Sequence, residues 1–351
     1  MNTSHRRIID VHHHLIPPAF VQAMAVHNLS EVAGAPLPHW TPEKSIENMD
    51  AHDIATAVLS LSAPGVHLGG NEWEACDLAK ACNEYAAELV SRNPGRFGFF
   101  AVLPMPFTEQ ACKEAEYALD VLHADGVVLL GSTDGYFLGN PRFNALMAEL
   151  NDREAIVFVH PNLHKTSTEL GLDTPGFLVE FLCDTTRAAT NLILSGTVEK
   201  YPKIRWILAH AGGFLPYIAW RLSLANEMPH FAIKAPKGIL HYIRSFYYDT
   251  ALSPSPFAMA ALRDLVAPDH ILFGSDYPFA PAVVTGIETK ALAALTVLDP
   301  PAKVGIDRAN ALKLFPRFAD PAQTGELSLA NRTKQALAQP IEALAEKLRA
   351  R

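Results

Sequence analysis

Eight short, almost unbroken apolar runs recur along the chain, each followed by a stretch with helix signals. They are IIDVHHH (8–14), TAVLSLS (56–62), FGFFAVLP (97–104), GVVLLG (126–131), AIVFVHP (155–161), IRWILAHAGG (204–213), SFYYDTAL (245–252) and HILFGSDYP (270–278). Strands of an antiparallel sheet with one wet face alternate apolar and polar residues. Strands of a parallel sheet, covered on both faces, read as continuous apolar runs. Eight strand–helix units in succession predict an α/β fold, a (β/α)8 TIM barrel. A doubly wound open sheet is the competing architecture, and no G-x-G-x-x-G opens a helix after the first run to support it.

The stretches between the runs carry recognisable helix starts. Thr41 precedes Pro42, an N-cap followed by proline at the first helical position. Helices are also expected to open at Asn71, at Thr108 and at Asn140-Pro141. Two regions exceed a bare barrel. Residues 15–40 make a long first βα loop, of the kind that forms lids and pocket walls at the C-terminal face of a barrel. Residues 321–351 are polar and then weakly amphipathic, and are read as a C-terminal helical extension of a barrel over residues 1–320.

Bulk properties exclude several functions. The 351 residues are 49% hydrophobic and 19% charged, enough apolar material for a large core. A formal charge of −8 offers no basic face to nucleic acid or anionic lipid. No apolar run approaches the ~18 residues of a membrane span. The N-terminal MNTSHRRIIDV has no apolar signal-peptide core, so the cytoplasm is the expected compartment. The four cysteines form no CxxC pair and are read as free thiols.

In such a barrel the chemistry sits at the C-terminal ends of the strands. Run 1 ends in His12, His13 and His14, run 5 in His160, run 6 in His210 and run 8 in Asp276, while run 7 carries Asp249. Side chains alternate faces along a strand. His12 and His14 therefore share one face, with Asp10 expected below them, and His13 faces the helix layer. His12, His14, His160 and Asp276 together offer three nitrogens and one oxygen to one divalent cation. Zinc is the first choice, with manganese or ferrous iron as alternatives, and no organic cofactor is required. His210 is surplus to four ligands and suits acid/base work; a fifth ligand or a supporting group is its other reading. Run 4 has no Lys, Glu or His to bridge two ions, so the centre is expected to be mononuclear.

The motifs IDVHHH, VFVHP, ILAHAGGFLPYIAWR, LFGSDYPF and RANALKLF, in that order over residues 8–316, resemble the amidohydrolase superfamily. The branch is that typified by aminocarboxymuconate semialdehyde decarboxylase. Framework stretches such as GRFGFFAVLPMP look most like the 6-methylsalicylate decarboxylases within it. The resemblance implies His12, His14, His160 and Asp276 as metal ligands and His210 as the active-site imidazole. It further implies Arg221 as a substrate-carboxylate ligand reaching a neighbouring subunit, hence a homodimer or larger homo-oligomer. Ser45 and Glu47 stand where the semialdehyde decarboxylases carry an arginine for a second carboxylate, which favours a monocarboxylate. The resorcylate enzymes have acids at the positions of His12 and Gly213, and this chain does not. The implied activity is non-oxidative decarboxylation of a small hydroxybenzoate, 6-methylsalicylate-like, by ring-carbon protonation and CO2 loss. Hydrolysis or hydration of a small lactone, amide or enol acid by the same centre is the alternative. Loops 15–40, 63–71 and 131–140 are expected to wall the pocket.

Overall fold

A computed structural model describes residues 6–319. The eight apolar runs become strands β1 (Ile8–His14), β2 (Ile54–Ser60), β3 (Phe97–Val102), β4 (Gly126–Leu130), β5 (Ile156–His160), β6 (Arg205–Leu208), β7 (Tyr247–Asp249) and β8 (Ile271–Leu272). They lie side by side in chain order and pair in parallel throughout. The ring closes from the last strand to the first: Val11 N–H donates to Phe273 O (2.9 Å) and His14 N–H to Tyr277 O (2.7 Å). This is the (β/α)8 barrel.

A barrel helix follows each strand: α1 (Pro42–Ala51), α2 (Glu72–Arg92), α3 (Thr108–Glu116), α4 (Asn144–Asp152), α5 (Glu180–Leu194), α6 (Leu215–Ser223), α7 (Pro256–Leu265) and α8 (Ala282–Ala294), with shorter helices in some of the connections. The expected caps at Thr41 and Asn71 are made. Their side-chain oxygens accept from Lys44 N–H (3.3 Å) and Glu74 N–H (3.1 Å), satisfying donors the first helical turn leaves free. Thr108 begins α3 but does not cap it; its hydroxyl donates to Arg142 O. At Asn140 a single 3-10 turn, Pro141–Phe143, precedes α4.

β1 to β5 are buried along their whole length, as both-face coverage requires. Phe100 and Phe158 stack inside the barrel at 5.4 Å, and Phe158 meets the ring of His12 at 4.9 Å. An aromatic layer therefore closes the barrel directly beneath the histidine cluster. Below it, Phe315 packs on Phe100, and Asn310 donates to the carbonyls of Pro268 and Ile271 at the start of β8. The RANALKLF segment thus plugs the bottom.

The first βα loop has structure of its own. It holds a helix, Pro18–Val26, and a small hairpin pairing Glu31–Val32 with Ala35–Pro36. The extension expected over 321–351 lies outside the described residues. No helix among the described residues is long and apolar enough to cross a membrane.

Candidate active site

β1 separates its three histidines as alternation requires. The Nε2 atoms of His12 and His14 face each other at 3.1 Å, and Asp276 Oδ1 lies 3.2 Å from the first and 3.0 Å from the second. His160 joins them, and one ligand atom from each of the four residues lies within 4.8 Å of the others. Two donors bound tetrahedrally at about 2.1 Å sit roughly 3.4 Å apart, so these separations fit one shared cation.

The outer nitrogens fix the tautomers. His12 Nδ1–H donates to Asp249 Oδ2 (2.8 Å), His14 Nδ1–H to Ser60 O (3.0 Å) and His160 Nδ1–H to Pro161 O (2.8 Å). Each imidazole, when neutral, therefore turns the lone pair of Nε2 into the cluster, where three nitrogens and a carboxylate converge. A cation satisfies that donor set. A divalent metal held by His12, His14, His160 and Asp276 fits these residues.

Electrostatics support the same pairing. Burial disfavours the charged form of His12, but the carboxylates of Asp249 and Asp276 outweigh it and raise the imidazole to about 10. Burial lowers His14, and lowers His160 well below the usual imidazole range with the neighbouring histidines adding to it. Burial opposes the charge on Asp276, yet the imidazoles of His12 and His14 against its carboxylate hold it well below the usual carboxylate range. Asp276 is thus ionised in the resting protein.

His13 faces the other way. Ser45 Oγ accepts from Trp40 Nε1–H (2.7 Å) and so donates to His13 Nε2 (3.0 Å), leaving Nδ1–H to donate to Asp10 Oδ2 (3.0 Å). Asp10 is not below His12 and His14 as alternation alone predicts. The ladder between β1 and β2 shifts register between Asp10 and His13. The Asp10 carboxylate instead takes His13, Ser275 Oγ (2.6 Å) and the Ser275 and His12 amides (both 3.1 Å). Ser45 is consumed in the same network, and Glu47 is exposed on α1, so neither meets the cavity.

Asp249 is the residue whose role the sequence did not reveal. It stands at the end of β7, where the barrel rule flags any polar residue, but its partners depend on the neighbouring turns. Oδ2 orients His12, while Oδ1 accepts the amides of His210 and Ala251 (both 2.9 Å). A second donor cluster, His12, His210 and Asp249, shares His12 with the first, and the hydrogen bond from His12 Nδ1–H occupies it. Gly274 of the closing segment makes room for this pair: a Cβ there would lie 2.8 Å from His12 Cβ and 3.1 Å from Asp249 Cβ.

His210 lies beside the cluster, its ring 4.9 Å from that of His12, and burial lowers its pKa. Its Nδ1–H donates to Ala251 O (3.2 Å). The backbone here is strained. His210 and Ala211 have φ of 55° and 54°, Leu252 of 53° and Asp276 of 56°, all in the left-handed region that side-chain-bearing residues avoid. Such residues persist where the surroundings over-determine them, and they cluster at functional sites.

A cavity of about 480 Å³ opens onto His160, His210 and Asp276. Its walls are largely apolar, with Phe177, Phe181, Leu182, Leu252, Phe279 and Val284 prominent, and no Lys or Arg among the described residues lines it. Of the three loops expected as walls, only 15–40 contributes, through Val32 and Ala35 of the hairpin. Residues 64–67 line a separate small pocket and 135–140 an outer groove. Segments 177–182, 252–253 and 279–284 take their place. Arg221 is exposed on α6 and is not among the residues lining this cavity.

Comparison with known proteins fits this architecture. The chain belongs to the amidohydrolase family, whose profile matches residues 9–317. It is 38% identical over 321 residues to the 6-methylsalicylic acid decarboxylase of Penicillium expansum, covering 88% of this chain and 96% of that one. Its fold superimposes on a crystal structure of an amidohydrolase II with a TM-score of 0.82 at 30% identity, covering 88% of this chain and 99% of the other. The dihydroxybenzoic acid decarboxylase of Polaromonas sp. JS666, solved with manganese and 2-nitroresorcinol, gives a TM-score of 0.77 at 23% identity, covering 90% and 98%.

Proposed function

We propose that this chain is a carboxy-lyase: a metal-dependent, non-oxidative decarboxylase of a small hydroxybenzoate, 6-methylsalicylate-like in size and polarity. The observation that carries the reading is the cavity itself. A mostly apolar chamber, with no Lys or Arg among the described residues that line it, ends on a three-histidine, one-aspartate donor set and one further imidazole. An aromatic ring suits the walls, and its single carboxylate suits the floor.

When bound, the divalent cation supplies positive charge for the substrate carboxylate and an ortho oxygen, fixing the ring. Phe177, Phe181 and Leu182 exclude water from the ring. Direct loss of CO2 would leave an aryl anion, so the ring carbon bearing the carboxylate is protonated first. The C–CO2 bond then breaks, its electron pair returns to the ring, and a proton has replaced CO2. Asp276 delivers that proton. Because Asp276 rests ionised, the proton comes from solvent during turnover: His210, its Nδ1–H committed to Ala251 O, takes it up on Nε2 and passes it to Asp276.

Zinc is the favoured ion on its preference for three nitrogens and one oxygen, with manganese as the alternative. The enzyme works in the cytoplasm as a homodimer or larger assembly, with Arg221 of one subunit serving the carboxylate in another. Tyr217 and Trp220, 88% and 74% exposed on the same helix, support an interface there. Sedimentation of the wild type and of Arg221→Ala, with KM measured on both, tests that part.

The central experiment is a hydroxybenzoate panel run on metal-analysed protein, with CO2 detection, in D2O and in H218O. Decarboxylation should release CO2 and place one deuterium at the vacated ring carbon. Solvent 18O in the organic product without CO2 would instead establish hydrolysis or hydration. Asp276→Asn should abolish turnover while retaining some metal; turnover near the wild-type rate in that variant would remove Asp276 as proton donor.

A further inference from the structure

One buried carboxyl near the cavity has no part in the chemistry above. Glu288 lies on the inner face of α8, only 4% exposed, among Thr285, Thr289 and Leu292. Its Oε1 accepts the N–H of Leu252, and its Oε2 has no hydrogen-bond partner among the described residues. Burying a carboxyl is unfavourable unless a specific contact requires it, and the one contact here falls on a strained residue. Leu252, at φ 53°, is the left-handed corner of the turn after β7, and with Ser253 it lines the cavity.

We propose that Glu288 is a positioning residue for His210, acting through the turn at residues 249–253. The connection is short and runs through backbone atoms. Glu288 holds the amide of Leu252; the preceding residue, Ala251, gives its own amide to Asp249 Oδ1 (2.9 Å) and its carbonyl to His210 Nδ1–H (3.2 Å). Ser253 N–H closes the turn on Thr250 O (3.0 Å). Asp249 and His210 hold this turn from the β6 and β7 ends, Thr250 Oγ1 accepts the Gly274 N–H after β8 (3.3 Å), and Glu288 holds the Leu252 amide from α8. Without it, Leu252 is released from its left-handed corner and Ala251 O is no longer held against the imidazole. His210 then loses the acceptor that keeps the proton on Nδ1 and leaves Nε2 for the cavity. Burial raises the Glu288 carboxyl to about 9, so it carries its proton at neutral pH and glutamine is its close mimic.

The inference rests on His210 being the working imidazole of the proposed decarboxylase. The test compares wild type, Glu288→Ala and Glu288→Gln, each analysed for metal, for kcat and KM, and for the His210 tautomer by 15N NMR of labelled histidine. Glu288→Ala should keep its metal and a KM within about twofold, lose roughly tenfold in kcat, and show a mixed His210 tautomer. Glu288→Gln should restore kcat and the Nδ1–H tautomer. Should the alanine variant not fold, Glu288→Met, similar in length and apolar, carries the same prediction. A wild-type kcat and unchanged tautomer in the alanine or methionine variant would overturn the proposal. So would a loss confined to KM or metal content. His210→Ala separates the two readings. Normal turnover in that variant removes His210 from the mechanism, whereas the tautomer comparison needs no substrate and judges Glu288 by itself.

Discussion

The two faces of β1 carry the same residue type to opposite ends. On the inner face, His12 and His14 spend their Nδ1 protons on Asp249 and Ser60 and aim two bare Nε2 atoms at one point. On the outer face, His13 has both nitrogens satisfied, by Asp10 and Ser45. All three rings are fully buried, so burial does not distinguish them. What distinguishes them is whether the hydrogen-bond inventory closes. It closes around His13 and leaves three lone pairs and a carboxylate open on the inner side. A buried histidine is a ligand candidate when its partners leave a lone pair unmatched.

Substitutions can break this contrast or sharpen it. The largest effect belongs to the inner face. His12→Ala or His14→Ala should lose most of the bound metal by elemental analysis and essentially all turnover; a variant that stays loaded and active would end the assignment. Asp249→Asn comes next. It keeps the shape but weakens the hold on the His12 tautomer, and metal affinity measured by chelator competition should fall about 10–100-fold. His13→Ala is the outer-face counterpart. It should keep the metal but leave Asp10 and Ser45 short of a partner in a dry interior, at a cost of about 1–3 kcal/mol in denaturant unfolding. Loss of metal in this variant would mean the two faces are not independent.

The smallest effect concerns pH. Folded Glu288 keeps its proton to about 9, chiefly through burial, with Asp276 and Asp10 adding to the rise and His12 opposing it. The unfolded side chain releases that proton near the usual 4.5. Between those values the folded chain binds more protons, so this residue's contribution to stability falls as pH rises. Glu288→Gln removes that dependence. Its Tm should match the wild type near pH 4.5 and exceed it by several degrees near pH 8.5, the gap widening steadily between.

The barrel and the four-residue donor cluster were legible in the sequence for a common reason. Unbroken apolar runs report burial on both faces, and the barrel rule says where their ends point. His12, His14, His160 and Asp276 needed only strand periodicity and strand ends. Asp10 was misplaced because one register shift in β1 breaks that periodicity, and nothing in IIDVHHH marks it. Asp249 was visible as a strand-end acid, but its two-sided grip on His12 and His210 depends on the path of the turns. The cavity walls were harder still. Residues 177–182 belong to a short 3-10 turn and the start of α5, and they reach the cavity because the Phe177 amide donates to Ala33 O on the first-loop hairpin. Contact between two excursions far apart in sequence leaves no local pattern.

That seam between hairpin and 3-10 turn has a wider consequence. The hairpin and residues 177–182 shape the chamber, and neither contributes a metal donor. Insertions, deletions or wholesale exchange in these two excursions can therefore redraw which ring substituents are admitted while the reactive floor stays untouched. A lineage built on this chain has a ready route to new aromatic acids through its loops, with the barrel ends held constant.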